Sequence, residues 1–199
     1  MSNGFLLSIM NDDVEELERF YCINGTFDMD IEVGNDDYPF FGKEICPLSL
    51  SAFFNSIECE KFMLNNGADI NRCDRKKRPP THYASYGGNI ECFQVLLNNG
   101  ASEKYRDIDG YSIMHHAVSN NKIDFVCYVA VLFPDLLCCL TNKLISPLHI
   151  AVDCSNIDMV RVLCQLGGNV NSITTFLTCF MGFFNIIGSL SITLCLIQI

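Results

Sequence analysis

Apolar positions along this chain fall into short helical stripes separated by polar, turn-rich breaks. Residues 74–101 show the unit best. A turn-rich run from Asp74 to Pro79 is followed by a short segment, Pro80 to Tyr86, and a break at Gly87-Gly88-Asn89. A second segment from Ile90 to Asn98 carries Ile90, Phe93 and Val95-Leu96-Leu97 at helical spacing, and Asn99-Gly100-Ala101 closes it. Pro80 suits the first turn of a helix, where its missing N–H would go unpaired anyway. Gly87-Gly88 can end the first helix with positive φ, and Gly100 ends the second. Asp107-Ile108-Asp109-Gly110 then supplies an Asp-Gly turn.

The unit recurs. Ser49-Leu50-Ser51, His82-Tyr83-Ala84, His115-His116-Ala117 and His149-Ile150-Ala151 open equivalent segments, with starts 33, 33 and 34 residues apart. A fixed period of this length predicts an elongated stack rather than one globular core. Leu6, Leu7 and Met10, then Val14, Leu17 and Phe20-Tyr21 behind a capping Asp12 or Asp13, form a half-matched unit ahead of it.

Helix–turn–helix units joined by protruding turns, with Ser146-Pro147-Leu148-His149-Ile150-Ala151 and the endings Asn66-Gly67-Ala68-Asp69-Ile70-Asn71 and Gly167-Gly168-Asn169-Val170-Asn171, resemble the ankyrin-repeat family. The resemblance implies an all-α solenoid of stacked helix–turn–helix units with short hairpin loops. It divides the chain into a degenerate N-terminal capping repeat (1–23), an acidic and aromatic insertion (24–45), four repeats over 46–172 (about 41–73, 74–106, 107–140 and 141–172) and an apolar tail (173–199). Ser49 stands where the family has His, Ile113 where it has Pro, and Lys77 and Leu144 where it has the turn Gly. The third repeat ends Phe133-Pro134-Asp135-Leu136-Leu137 instead of Gly-Ala. The Pro-Leu-Ser-Leu-Ser-Ala variant at 47–52 resembles an uncharacterised ankyrin-like class expanded in protozoan genomes.

Composition then narrows the function. The net charge of -10 argues against a general nucleic-acid binder. Most of it lies in residues 1–45, with eleven acids and two bases against twelve and eleven in the rest. The twelve cysteines would suggest a disulfide framework in a small secreted protein. Met1-Ser2-Asn3-Gly4-Phe5 lacks a basic n-region, however, and Cys59, Cys92, Phe125 and Met159 share one repeat slot. A cysteine that interchanges with Phe and Met is acting as a small hydrophobe, so reduced, buried thiols in a cytoplasmic protein are expected.

Residues 173–199 contain no charge and are nearly all apolar. They read as a membrane span, which would tether the stack to a membrane, as a degenerate fifth repeat, or as an anomalous end of the reading frame.

Candidate chemistry mostly dissolves into architecture. His82, His115 and His149 occupy one slot in successive repeats, too far apart to share a zinc ion. The family resemblance implies that such histidines bridge backbone groups. No nucleophile–base pair or phosphate loop departs from the repeat, so no enzyme activity, metal or cofactor is expected. The cluster Arg72, Arg75, Lys76, Lys77 and Arg78 reads as a solvated tip, as a patch for an acidic protein, or as a small nucleic-acid footprint. The slots that the family leaves variable bring Arg78, Tyr83, Tyr86, Tyr111 and His116 into adjacent columns beside Arg75 and Lys76. They are expected to form an exposed protein-binding patch, dispensable for folding, because Tyr and Arg are enriched at interface centres. The function expected is a monomeric, non-enzymatic interaction module for an unidentified protein partner.

Overall fold

The structure, a computed structural model, describes residues 2–27, 29–31 and 45–169. Among them ten α-helices follow one another in pairs: α1 (Ser2–Met10) and α2 (Val14–Asn24), α3 (Pro47–Phe54) and α4 (Ile57–Asn65), α5 (Pro80–Gly87) and α6 (Ile90–Asn98), α7 (Ile113–Ser119) and α8 (Ile123–Leu132), and α9 (Pro147–Asp153) and α10 (Ile157–Gln165). First helices stack in one layer, α1 on α3, α3 on α5, α5 on α7 and α7 on α9. Second helices form the other layer, with α2 on α4, α4 on α6 and α8 on α10. The expected all-α solenoid is what the chain forms.

Local chemistry sets the helix ends. Asp13 caps α2 by accepting from Glu16 N–H at 3.1 Å. Asp12 reaches across the stack instead, accepting from the N–H groups of Glu58 and Cys59 at the start of α4. Pro80 opens α5, and Gly88 closes it at φ 79°. Any side chain at Gly88 would also strike Lys122, whose Cδ lies 2.7 Å from the position of a Cβ. The residues ahead of the second helices tie neighbours together: Ser56 donates to the Ile9 carbonyl, and Asn89 Nδ2 donates to Ala52 at 2.8 Å.

Each core slot repeats down the stack. Cys59, Cys92, Phe125 and Met159 are all buried, and Phe93 meets Phe125 with ring centroids 5.1 Å apart. A large side chain buried this way contributes roughly 1.5–3 kcal/mol. Not every thiol follows the expectation of burial. Cys22, Cys73, Cys138 and Cys154 are exposed, because they lie outside that slot; the ten described cysteines are all free.

The first ends of the 24–45 insertion meet in an antiparallel bridge between Ile31 and Ile45, both buried, with backbone bonds of 2.8 and 3.3 Å. The body of that insertion, at 32–44, and the tail at 173–199 lie outside the described residues. The expectation of a membrane-associated protein is corrected: no helix among the described residues is long and apolar enough to cross a membrane. Each second helix here is only two to three turns long, well short of a membrane span.

One core position breaks the rule. Glu60 is fully buried on α4, in the slot that later repeats fill with Phe93, Val126 and Val160. Neither carboxyl oxygen meets a hydrogen-bond partner among the described residues. Burial pushes its pKa up to about 8; Asp12 adds to the rise, while Cys92 and Lys61 oppose it. The native chain therefore holds a proton that the unfolded chain loses near pH 4.5. That contribution to stability is complete below pH 4.5 and disappears as pH rises through about 8. Urea melts should show the protein losing about 2 kcal/mol between pH ~6.5 and ~8. Glu60→Met should flatten this decline and raise stability at pH ~8 by about 1–3 kcal/mol. An unchanged slope in the variant would show that another group carries it.

Candidate protein-interaction surface

Between the helix pairs the chain makes three five-residue tips, 74–78, 107–111 and 141–145. In each, the first N–H donates to the fifth carbonyl: Asp74 to Arg78 at 3.1 Å, Asp107 to Tyr111 at 3.0 Å and Thr141 to Ile145 at 2.9 Å. The fourth residue takes the left-handed conformation, with φ of 59° at Lys77, 84° at Gly110 and 60° at Leu144. Only Gly110 does so without strain; the two side-chain-bearing residues cost roughly 1–2 kcal/mol each. The tips are laced into one row. Ile108 N–H donates to Lys76 O, and Asn142 donates through N–H to Asp109 O and through Nδ2 to Ile108 O.

The residues expected to form an exposed patch sit beneath this row, and three of them are buried. Arg78 is 1 % exposed, Tyr83 0 % and His116 6 %. Asp74 gathers the first two. Its carboxylate accepts from the Arg78 guanidinium at 2.6 and 2.7 Å, from Tyr83 Oη at 2.8 Å, and from the N–H groups of Lys76 and Arg78 at 2.8 Å each. The Arg78 guanidinium also donates to Tyr83 Oη at 3.2 Å and lies 5.1 Å from the centre of the Tyr83 ring. Burial pushes the Tyr83 phenol pKa up, so it stays a donor.

The next repeat rebuilds the same anchor from other residues at the same slots. Asp107 takes the place of Asp74, Tyr111 of Arg78 and His116 of Tyr83. Asp107 accepts from Tyr111 N–H at 2.7 Å and Asp109 N–H at 3.0 Å, and His116 Nε2 lies 3.3 Å from it. Burial alone would raise the Asp107 pKa, but the His116 side chain and those N–H donors hold it below the ordinary carboxylate value. The exposure expected at Arg78, Tyr83 and His116 is thus corrected. Their polar ends turn inward, toward a carboxylate eight residues ahead of each repeat's histidine. Tyr86 and Tyr111 remain half-buried, with His116 between them at 6.1 and 5.6 Å; Arg75 and Lys76 are exposed.

The motif histidines sit one residue away and look along the stack. His82 Nε2 pairs with Tyr111 O at 3.2 Å and His115 Nε2 with Ile145 O at 3.1 Å. At the other ring nitrogen, Ser112 and Ser146 close capping boxes with His115 and His149. Pro79 occupies that cap in the second repeat. It offers neither hydroxyl nor N–H, so His82 Nδ1 is buried without a partner among the described residues. Burial drives the His82 and His115 pKa values down to about 3 and about 4. In the first repeat Cys46 and Ser49 replace the pair, with Sγ and Oγ 3.1 Å apart.

What the row of tips leaves open is a cleft of about 310 Å³. Exposed Lys76, Asp109 and Lys143 surround half-buried Tyr111 and Ile145, with Arg78 and His116 in its floor. Among the described residues no group of three or more His, Cys, Asp or Glu side chains could hold a metal ion. The cleft offers surface contacts of both signs around an aromatic ring.

A family model described as ankyrin repeats in three copies matches residues 11–107 and 48–131, and one described as a single ankyrin repeat matches 144–175. No curated protein matches the chain.

Two substitutions test the anchors. Pro79→Ser, at φ -77° and ψ 172°, keeps a backbone that Ser112 also adopts. It should restore the missing box and stabilise by about 1 kcal/mol in denaturant melts. Tyr83→Ala should cost about 3–5 kcal/mol rather than spare folding; a variant as stable as the parent would show the buried anchor to be dispensable.

Proposed function

The chain belongs to the ankyrin-repeat family, and from that premise we propose that it is a non-enzymatic scaffold module that captures a protein partner at its row of tips. Ankyrin-repeat stacks are typical of protein–protein interaction scaffolds. The observation that carries the present reading is the cleft around Tyr111. Its free charges, Lys76, Asp109 and Lys143, are contributed by three successive tips that hydrogen bonding locks together. Such a surface suits a peptide segment that sets an apolar side chain between charged ones. Tyr111 is the aromatic centre of the contact, and Arg78, Tyr83 and His116 support it from below. Tyr86 and Arg75 extend it along the stack.

We divide the chain in the same terms: a capping unit at 1–23, an insertion at 24–45, four repeats at 46–172 and a distinct tail. We keep the likeness of residues 47–52 to the protozoan-expanded variant as part of this reading; in that repeat the Cys46–Ser49 contact stands in for the Ser–His pair.

Full-length protein should capture a defined partner from a lysate of its source cells, and Lys76→Glu with Lys143→Glu should abolish capture while leaving the melting transition unchanged. Both residues are exposed, and neither side chain is part of an anchor. Capture undiminished in a folded double variant would remove the cleft from the interface.

A further inference from the structure

Each seam between successive second helices is filled by one pair of slots. The residue eleven places after a repeat's His or Ser is set against the residue ten places after the next one. Phe93 and Phe125 show the pairing, with ring centroids 5.1 Å apart, and the buried Val126 and Met159 hold the same slots one repeat on. The seam between α4 and α6 is the exception. There the register sets Glu60 against Cys92, and both are 0 % exposed. The Cys92 thiol acts on the carboxyl, yet neither carboxyl oxygen has a hydrogen-bond partner among the described residues. Burial stabilises an apolar pair. It destabilises an unpartnered carboxyl, and far more so once that carboxyl is charged.

The surrounding packing decides which way this seam can give. α4 is fastened to the N-terminal unit. Asp12 accepts from Cys59 N–H at 2.8 Å, Ser56 donates to the Ile9 carbonyl, and Phe62 meets the rings of Tyr21 and Phe27 at 6.1 and 6.0 Å. The start of α6 is fastened instead to the first-helix layer, through Asn89 Nδ2, which donates to the carbonyls of Ala52 and Phe53. α2 and α4 thus move as one block, and the polar ties to α6 belong to α3. Little around Glu60 would hold its charge. α3 has no titratable side chain, the α2 side contributes acidic Asp12, and α6 contributes Cys92 with acidic Glu91 beside it. Cys92 and Lys61 of α4 itself favour the carboxylate, but burial outweighs them.

We propose that Glu60 makes this seam a proton-controlled gate: with the carboxyl protonated the second-helix layer is shut, and on ionisation the α2–α4 block swings from α6, hydrating Glu60 and uncovering the Cys92 thiol. α3 stays stacked on α5 throughout. Burial keeps the shut form protonated up to about pH 8, whereas opening returns the carboxyl to its ordinary 4.5. The open form therefore gains on the shut one as pH rises from 4.5 to about 8, by about tenfold per pH unit, and gains no further above that. None of Asp12, Glu60 and Cys92 lines the tip cleft, so the gate is separate from the surface proposed for a partner.

Two readouts on the full chain test this. The first is iodoacetamide labelling of Cys92, located by mass spectrometry and divided by its rate in the urea-unfolded chain at the same pH. It should rise about tenfold per unit between pH ~6 and ~8. The second is hydrogen exchange corrected for the intrinsic rate. α4 has nine residues, too few to persist as a helix once unpacked, so its amides should lose protection over the same range while those of α8 and α10 keep theirs. Glu60→Gln removes the titration while keeping the shape, and should flatten both curves. Glu60→Met should do the same and serves if the Gln variant does not fold. Labelling of Cys92 that ignores pH, or a rise that survives in a folded Glu60 variant, would overturn the gate. Loss of protection in α8 and α10 in step with α4 would overturn it too, because the whole chain would then be unfolding.

Discussion

The two middle tips of this stack each depend on a carboxylate buried where the tip meets its own first helix. Asp74 and Asp107 accept N–H groups from their tips on one side and a helix side chain on the other. A buried ion pair is not cheap. The desolvation of both partners can outweigh their attraction, and an apolar replacement is often as stable. The outer repeats show that alternative in the same chain: Ile45 and Leu50 fill these slots in the first, and Ile145 and Ile150 in the fourth. What the polar version adds is direction. Five donors converge on the two oxygens of Asp74, and only one arrangement of the tip satisfies them all.

That choice governs which residues are free to recognise anything. Arg78 and Tyr83 are of the types most enriched in interfaces, yet they and His116 are consumed in holding the tips. The exposed chemistry passes to their neighbours. Lys76 and Asp109 lie within the locked turns, and Lys143 lies in the next. Because tip-to-tip hydrogen bonds fix their spacing, little backbone entropy remains to be lost if a partner docks. A rigid row of this kind is the form of preorganisation that a repeat stack can offer, since each unit contacts only its neighbours.

The sequence made much of this legible. A period of 33, 33 and 34 located the helices of the stack, and the interchange of Cys59, Cys92, Phe125 and Met159 identified a core slot. Burial of the polar slots was not legible, because Arg, Tyr and His at a variable position read as solvent-facing until their partners are known. The signal lay eight residues ahead of the histidine, where Asp74 and Asp107 stand in the two repeats with polar anchors and Thr141 in the repeat with an apolar one. Glu60 was readable by the same ruler, as an acid in the column of Phe93, Val126 and Val160. Its missing partner was not, since the absence of a hydrogen bond has no sequence pattern. The unpaired Nδ1 of His82 lies between these cases. Pro79 at a capping slot announces a lost donor and acceptor, but only the packing shows that no water-facing route replaces them.

The stack's individuality therefore resides where a slot is filled against type. Glu60 and Pro79 each leave a polar atom unsatisfied in or near the same two repeats, and both lower stability without serving the tips. Nearest-neighbour coupling confines such costs. A defect in one repeat weakens its own interfaces and leaves the register of the others intact. The anchors of the second and third repeats can thus be tuned for recognition while the apolar outer repeats hold the ends. The order in which the anchors turn from apolar to polar and back along the chain is the physical basis of the proposal that recognition lies at its centre.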